Sequence, residues 1–170
     1  VSSQLQLDTR SAAVFSPCRT WRYSLTRIWD ESTPLAMFIG LNPSTADETV
    51  DDQTVRRCIR FAREWGYGGL VMTNMYALRS TDPGGLLTAA DPIGPDNDTV
   101  LLNWAAAAGV IVAAWGTWGT KVKPYTQRPN TMPGLVWPKT LQCLGVTNSG
   151  QPRHPLYLRA DTELEPWSPA

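Results

Sequence analysis

Apolar positions along the chain fall into two patterns. Residues 36–40 (AMFIG) are short, continuous and apolar, and residues 70–74 (LVMTN), 110–115 (VIVAAW) and 141–144 (LQCL) read as the strands that follow. Such a run marks a strand covered on both faces of a parallel sheet. Between the first two, Val55, Cys58, Ile59 and Ala62 recur at spacings of three and four, which predicts a helix over about residues 52–65. Gly66 and the Gly68-Gly69 pair stop it. A second helix is predicted from Asp98, a candidate N-cap, through Leu101, Leu102 and Trp104 to the alanine run 105–108, with Gly109 ending it. Residues 81–85 (TDPGG) form a turn that opens a short helix, and Gly94-Pro95 marks the connection that follows. Residues 24–29 read as one arm of an N-terminal hairpin, turned by residues 30–34. Residues 117–138 have no clear period and predict loops with at most a short helix, and a Pro-rich tail closes the chain.

Strands alternating with helices predict an α/β fold: a three-layer αβα sandwich around a short, mainly parallel four-stranded sheet with right-handed crossovers. The expected organisation is a single domain over residues 1–170, with an N-terminal arm to about residue 34, a core over about 35–160 and a tail from 161. Hydrophobic residues make up 42% of the chain, which excludes general disorder. No apolar run approaches the roughly 20 residues that span a bilayer. The opening VSSQLQLDTRSAA lacks the charged-then-apolar order of a signal peptide. A cytoplasmic protein that needs no membrane and no obligate protein partner, and is monomeric, is the expectation.

Cys18, Cys58 and Cys143 are odd in number, widely spaced and never in a C-x-x-C pair, and His154 is the single histidine. Neither a disulfide framework nor an ordinary thiolate or two-histidine metal site fits that inventory, so cofactor-free and metal-free chemistry is expected. Net charge is zero, but its distribution is uneven. Residues 99–160 hold no Asp or Glu, while Lys121, Lys123, Arg128, Lys139, Arg153 and Arg159 lie within them. Such asymmetry is a sequence signature of a polyanion partner, although charges separated along a chain can mix in three dimensions.

Four segments carry the candidate chemistry: residues 38–47 (FIGLNPSTAD), 71–79 (VMTNMYALR), 110–121 (VIVAAWGTWGTK) and 147–158 (TNSGQPRHPLYL). Each of the first three is a strand running into a polar loop, and the fourth follows the last strand. In an open parallel sheet, the loops at the carboxyl ends build the ligand site.

Their order resembles the uracil-DNA glycosylase superfamily. Gly40-Leu41-Asn42-Pro43-Ser44 is similar to the first motif of the mismatch-type and single-strand-selective members, and Val71 to Asn74 to their second strand with its base-reading Asn. Ala114-Trp115-Gly116 with Lys121 resembles the third-strand segment, and His154-Pro155-Leu156 the His-Pro loop. The GLNPSTAD and HPLYL strings resemble more closely a bacterial and phage family with members associated with excision of glucosylated hydroxymethylcytosine in anti-phage defence. The resemblance implies a monofunctional glycosylase that flips a modified pyrimidine from DNA and leaves an abasic site.

On that reading Asn42 holds the attacking water through its side-chain carbonyl, and Asp47, or one of Asp51 and Asp52, supports the cationic sugar. Gly40, Leu41, Ser44, Asn74 and Tyr76 border the base, with Asn74 able both to donate and to accept. His154 donates to the base carbonyl that gains charge. Lys121 and Arg153 hold phosphates, and Leu156 and Tyr157 wedge into the vacated stack. Ser44 stands where uracil-specific members carry a tyrosine that excludes the thymine methyl, which implies tolerance of 5-substituted pyrimidines. Eight tryptophans suit core packing, with Trp118 and Trp137 in the acid-free stretch as candidate stacking platforms. Two other classes fit the same residues: an enzyme acting on a free nucleoside or nucleotide, and a non-catalytic nucleic-acid-binding module.

Overall fold

The computed structural model describes residues 9–170. The expected N-terminal arm therefore lies partly outside the described residues, as does most of the opening segment. Three strands form the sheet's interior: β3 (Leu35–Gly40), β4 (Gly69–Asn74) and β5 (Val110–Ala113). Their runs are apolar because both faces are covered: every residue of β4 is buried, and Leu35 and Val110 alone are partly exposed in the other two. β4 and β5 flank β3 in parallel, with Gly40 level with Asn74 and Ile39 level with Ala113. β6 (Leu141–Cys143) adds in parallel beyond β5.

The fold is mixed α/β, but among the described residues the single sheet has seven strands rather than the expected four, in the order β1-β2-β4-β3-β5-β6-β7. The extra three are antiparallel. β1 (Arg10–Phe15) and β2 (Arg22–Ile28) form a hairpin whose inner arm joins β4. β7 (Glu165–Trp167), from the tail, pairs with β6. The predicted hairpin arm is thus an integral strand of the sheet.

Alternation sends neighbouring side chains to opposite faces. Ala36, Phe38, Leu70 and Met72 meet Val55, Cys58, Phe61 and Ala62 of α1 (Gln53–Glu64). Asp52 caps that helix by accepting from the Val55 amide at 2.8 Å, and Gly66 follows it at φ +80°. Met37, Ile39 and Val71 face the other way and meet Leu86 of α2 (Gly85–Thr88), Leu101 and Ala105 of α3 (Asn97–Ala107) and Met132 of α4 (Arg128–Leu135). Helices therefore cover both faces. The predicted cap of α3 is corrected: Asp98 lies in its first turn and pairs with Arg128, while Asp96 holds the cap position without a side-chain bond. The patternless stretch contains α4 and a short 3-10 turn at Trp118–Thr120. Among the described residues, no helix is long and apolar enough to cross a membrane.

Candidate functional site

The chain leaves β3 for β4 on one side and then crosses back to β5 on the other, so the connections diverge at the carboxyl end of β3. A crevice at such a divergence is the usual ligand site of an open α/β sheet. Here it is a cavity of about 700 Å³ on the α1 side of the sheet, bordered by Gly40, Met72, Ala114 and Val55 at its strand and helix walls.

Main-chain bonds suture the loops in pairs. Beyond the strand ends, Met75 and Tyr76 donate to the carbonyls of Gly40 and Leu41, and Ser80 donates to that of Pro43. On the opposite side Gly116 donates to Pro152, and Arg153 donates to Gly145. Gly116 takes φ +68°, a conformation that glycine adopts without strain, and so turns the loop after β5 toward His154.

Asn42 sits in the first suture. Its Nδ2 donates to the carbonyls of Ser80 at 2.9 Å and Pro43 at 3.1 Å, with a longer approach to that of Leu78. Three carbonyl neighbours require the amide nitrogen on that side, so Oδ1 is the atom left as an acceptor, and Asn42 borders the cavity. Across from it, His154 accepts from the Leu156 amide through Nδ1 at 3.2 Å. Its neutral ring consequently carries the proton on Nε2. Burial holds its pKa below the ordinary 6.5, with the Asp52 charge opposing that shift.

Gly40, Leu41, Asn42, Ser44, Arg153, His154, Leu156 and Tyr157 all border the cavity. Tyr157 is 87% exposed at the rim, 6.3 Å from the His154 ring. Four expected site residues do not border it. Asp47 bends its own loop: Oδ1 accepts from the Thr49 and Val50 amides, which lower its pKa. Asp51 pairs with Arg27 at 2.8 Å. Of the three carboxylates considered, Asp52 alone lines the cavity.

Asn74 is buried beside Gly40, so close that a Cβ on Gly40 would fall 2.7 Å from its Oδ1. Its Nδ2 has no partner among the described residues. Tyr76 belongs to the core on the opposite face, where its hydroxyl reaches the carbonyls of Gly119 and Tyr125 and burial pushes its pKa up to about 12. Lys121 reaches the mouth only through Trp118, whose ring its Nζ approaches at 4.8 Å. Trp118 itself borders the cavity, whereas Trp137 is elsewhere and 80% exposed.

The acid-free stretch is less basic in space than along the chain. Arg128 is buried against Asp98, Lys139 caps α3 at the carbonyls of Ala106 and Ala108, and Arg159 pairs with Asp161. Besides Arg153, the cavity receives a cation from outside that stretch. Arg22, which sequence reasoning passed over, lines it from β2.

A family model described as "Protein of unknown function (DUF1643)" matches residues 22–156, which include the cavity-lining residues from Arg22 to Leu156 but not Tyr157 and Leu158. No curated protein and no solved structure matches the chain.

Proposed function

The chain belongs to the DUF1643 family of proteins of unknown function, and from the chemistry of its cavity we propose that it is a monofunctional DNA glycosylase. Its substrate is a flipped pyrimidine nucleotide carrying a 5-substituent, and its product is an abasic site. The observation that carries this reading is the orientation of Asn42. Its amide nitrogen is committed to the Ser80 and Pro43 carbonyls, which leaves a fixed, uncharged acceptor at the cavity wall.

Hydrolysis of an N-glycosidic bond develops positive charge on the sugar and negative charge on the departing base. Asn42 Oδ1 orients the water that attacks the sugar carbon. The carboxylate of Asp52, in the same cavity, favours the cationic sugar. The Nε2 proton of His154 hydrogen-bonds the base oxygen that gains charge; as a neutral donor it stabilises that charge without protonating the base in advance. Trp118 offers a face for stacking, and Tyr157 at the rim suits the role of a wedge in the strand.

Ser44 contributes a small side chain to the wall, and about 700 Å³ lies within the range that accommodates substituted, drug-sized ligands. Both support modified cytosines, including glucosylated hydroxymethylcytosine, over unmodified uracil. The similarity of this arrangement to the uracil-DNA glycosylase fold, and a defensive role against phages with modified cytosine, belong to the same proposal. Among the described residues no lysine borders the cavity to form a Schiff base, so on this reading strand scission is left to a later step.

The test is incubation with DNAs carrying uracil, hydroxymethylcytosine or glucosylated hydroxymethylcytosine, followed by alkali and a denaturing gel. Alkali-dependent breaks at the modified base, absent with Asn42→Ala, are expected. An intact panel would redirect the cavity to a free nucleotide or to binding without cleavage.

A further inference from the structure

Arg22 is the least compensated charge in the cavity wall. It is 2% exposed, yet no carboxylate lies within ion-pair distance of it among the described residues. Of its guanidinium nitrogens only Nη1 makes a hydrogen bond there, to the Ala46 carbonyl at 2.8 Å, and Nε is buried without a partner. Arg27, on the same strand, shows what a satisfied arginine looks like here. Its Nε meets Asp51 at 2.8 Å, and its other nitrogens meet the carbonyls of Ala12, Thr26 and Asp47.

The backbone aims Arg22 at the cavity. The β1–β2 ladder pairs Val14 with Ser24 but Phe15 with Arg22, so Tyr23 is an extra residue in a bulge. Without it, alternation would turn Arg22 away from the face that carries Leu25 and Arg27. Burial holds its pKa down to about 10, with Arg79 and Arg27 adding repulsion and Asp52 and Asp47 partly offsetting it. A buried cation without a counter-ion destabilises the empty fold.

Nε and Nη2 are thus left without a protein partner among the described residues, and such a pair of guanidinium N–H groups is the fork with which arginine grips a tetrahedral or planar oxyanion. Thr54, Ser80 and Thr81 bring hydroxyls to the same cavity, and Asp52 is its single carboxylate among the described residues. We propose that Arg22 is the anion-binding group of this cavity and takes a phosphate oxygen of a nucleotide ligand. This rests on the reading that the cavity receives a nucleotide, but not on cleavage.

Thermal melts of the full chain test it, with inorganic phosphate, dCMP, deoxycytidine and a short single-stranded oligonucleotide each compared against chloride at matched ionic strength. Wild-type protein should be stabilised by the phosphate-bearing probes and not by deoxycytidine. Arg22→Met should lose those shifts while its own Tm is unchanged or higher, because it removes an uncompensated charge. Arg22→Lys, which keeps the charge without the fork, should bind about tenfold more weakly. It also serves if the Met variant does not fold.

A response to dCMP and phosphate identifies a free phosphomonoester as the source of the oxyanion, and a response to the oligonucleotide alone identifies a strand phosphodiester. Equal shifts in wild type and Arg22→Met, or no shift of wild type with any phosphate probe, would overturn the proposal. A protein that binds phosphate through Arg22 but cleaves nothing would refute only the glycosylase reading. One that excises bases with unaltered affinity as Arg22→Met would refute only this one.

Discussion

Asn42 links the stability of the cavity to its chemistry, and the two contributions can be separated by two substitutions. Asn42→Ala removes the hydrogen bonds of 2.9 Å to Ser80 and 3.1 Å to Pro43 and the marginal 3.5 Å approach to Leu78. At about 0.5–1.5 kcal/mol net for each good bond, stability should fall by about 1–3 kcal/mol. The lower half of that range is favoured, because the side chain is only partly buried and water can reach the freed carbonyls. For a chain of this size that is a Tm decrease of roughly 2–8 °C. The chemical effect should be larger. Losing a fixed polar group that acts on the transition state lowers rates by about 10²–10³, or roughly 3–4 kcal/mol.

Asn42→Asp sharpens the comparison. It is isosteric and supplies a stronger base, but it sets a carboxylate oxygen against two carbonyl oxygens where an N–H had donated. The side chain must rotate or the suture between the loops must open. Its Tm should therefore lie below that of Asn42→Ala, despite the smaller change in shape. Scanning fluorimetry and single-turnover excision at one temperature, at least 15 °C below the lower Tm, measure both quantities. A folded Asn42→Ala retaining a rate within about threefold of wild type would refute the water-positioning role. An Asn42→Asp as stable as wild type would refute the orientation of the amide.

His154 supplies a pH signature: its folded pKa lies below 6.5 because it is buried, so the unfolded chain takes up the proton first. Stability should be level above pH 7 and decline as pH falls below about 6.5, the excision rate should fall only at lower pH, through the depressed folded pKa, and both limbs should weaken in His154→Gln; limbs unchanged in the variant assign them to another group. Cys18 is exposed, and its hydrogen bonding with Ser16 and Thr20 lowers its thiol to about 7, whereas burial raises Cys58 and Cys143. One thiol should react quickly with a chromogenic disulfide at pH 7 and the other two only in denaturant; three fast equivalents would contradict the burial of the latter pair. Gly40→Ala would drive a methyl to 2.7 Å from the buried Asn74 amide, so a loss of about 1–3 kcal/mol is expected in urea unfolding, and an unshifted midpoint would mean that Asn74 moves freely.

The interior of the sheet was legible because burial on both faces leaves an uninterrupted apolar run. β3, β4 and β5 show it directly, whereas β6 sets the partly exposed Gln142 between Leu141 and Cys143. The added strands lack that signal for different reasons. β1 is an edge strand with an exposed face, and β7 is three residues long with a proline in its middle. Arg22 and Arg27 interrupt β2 with charge at positions that are nonetheless buried, because their partners come from the loop after β3.

The site divides in the same way. The Asn42 and His154 loops could be found because each joins a strand end to a short, chemically distinctive string. The strand-end residues Asn74 and Tyr76 could not be placed by type alone, since one position along a strand reverses the face. Asp47 and Asp52 are five residues apart in one loop, and choosing between them needs the path of the backbone: Asp47 closes a turn, whereas Asp52 starts α1 at the cavity wall.

Charge shows why a linear tally misleads even when its sign is useful. The six cations of residues 99–160 implied a polyanion partner, yet Arg128, Lys139 and Arg159 are engaged in holding α3, α4 and the tail. What remains near the cavity is Arg153 at its wall and Lys121 behind Trp118, both exposed and so weakly coupled to a ligand in salt. Arg22 lies in the acidic part of the sequence and would be counted as neutralised there. In space it is dry and lacks a carboxylate partner among the described residues, so it should bind an anion with far less sensitivity to ionic strength than the two exposed cations. Comparing the salt dependence of oligonucleotide binding in Arg22→Lys and Arg153→Lys with that in Arg153→Gln separates these contributions. Loss of a surface cation should flatten the dependence on salt, whereas altering the buried one should weaken binding at every salt concentration with little change of slope.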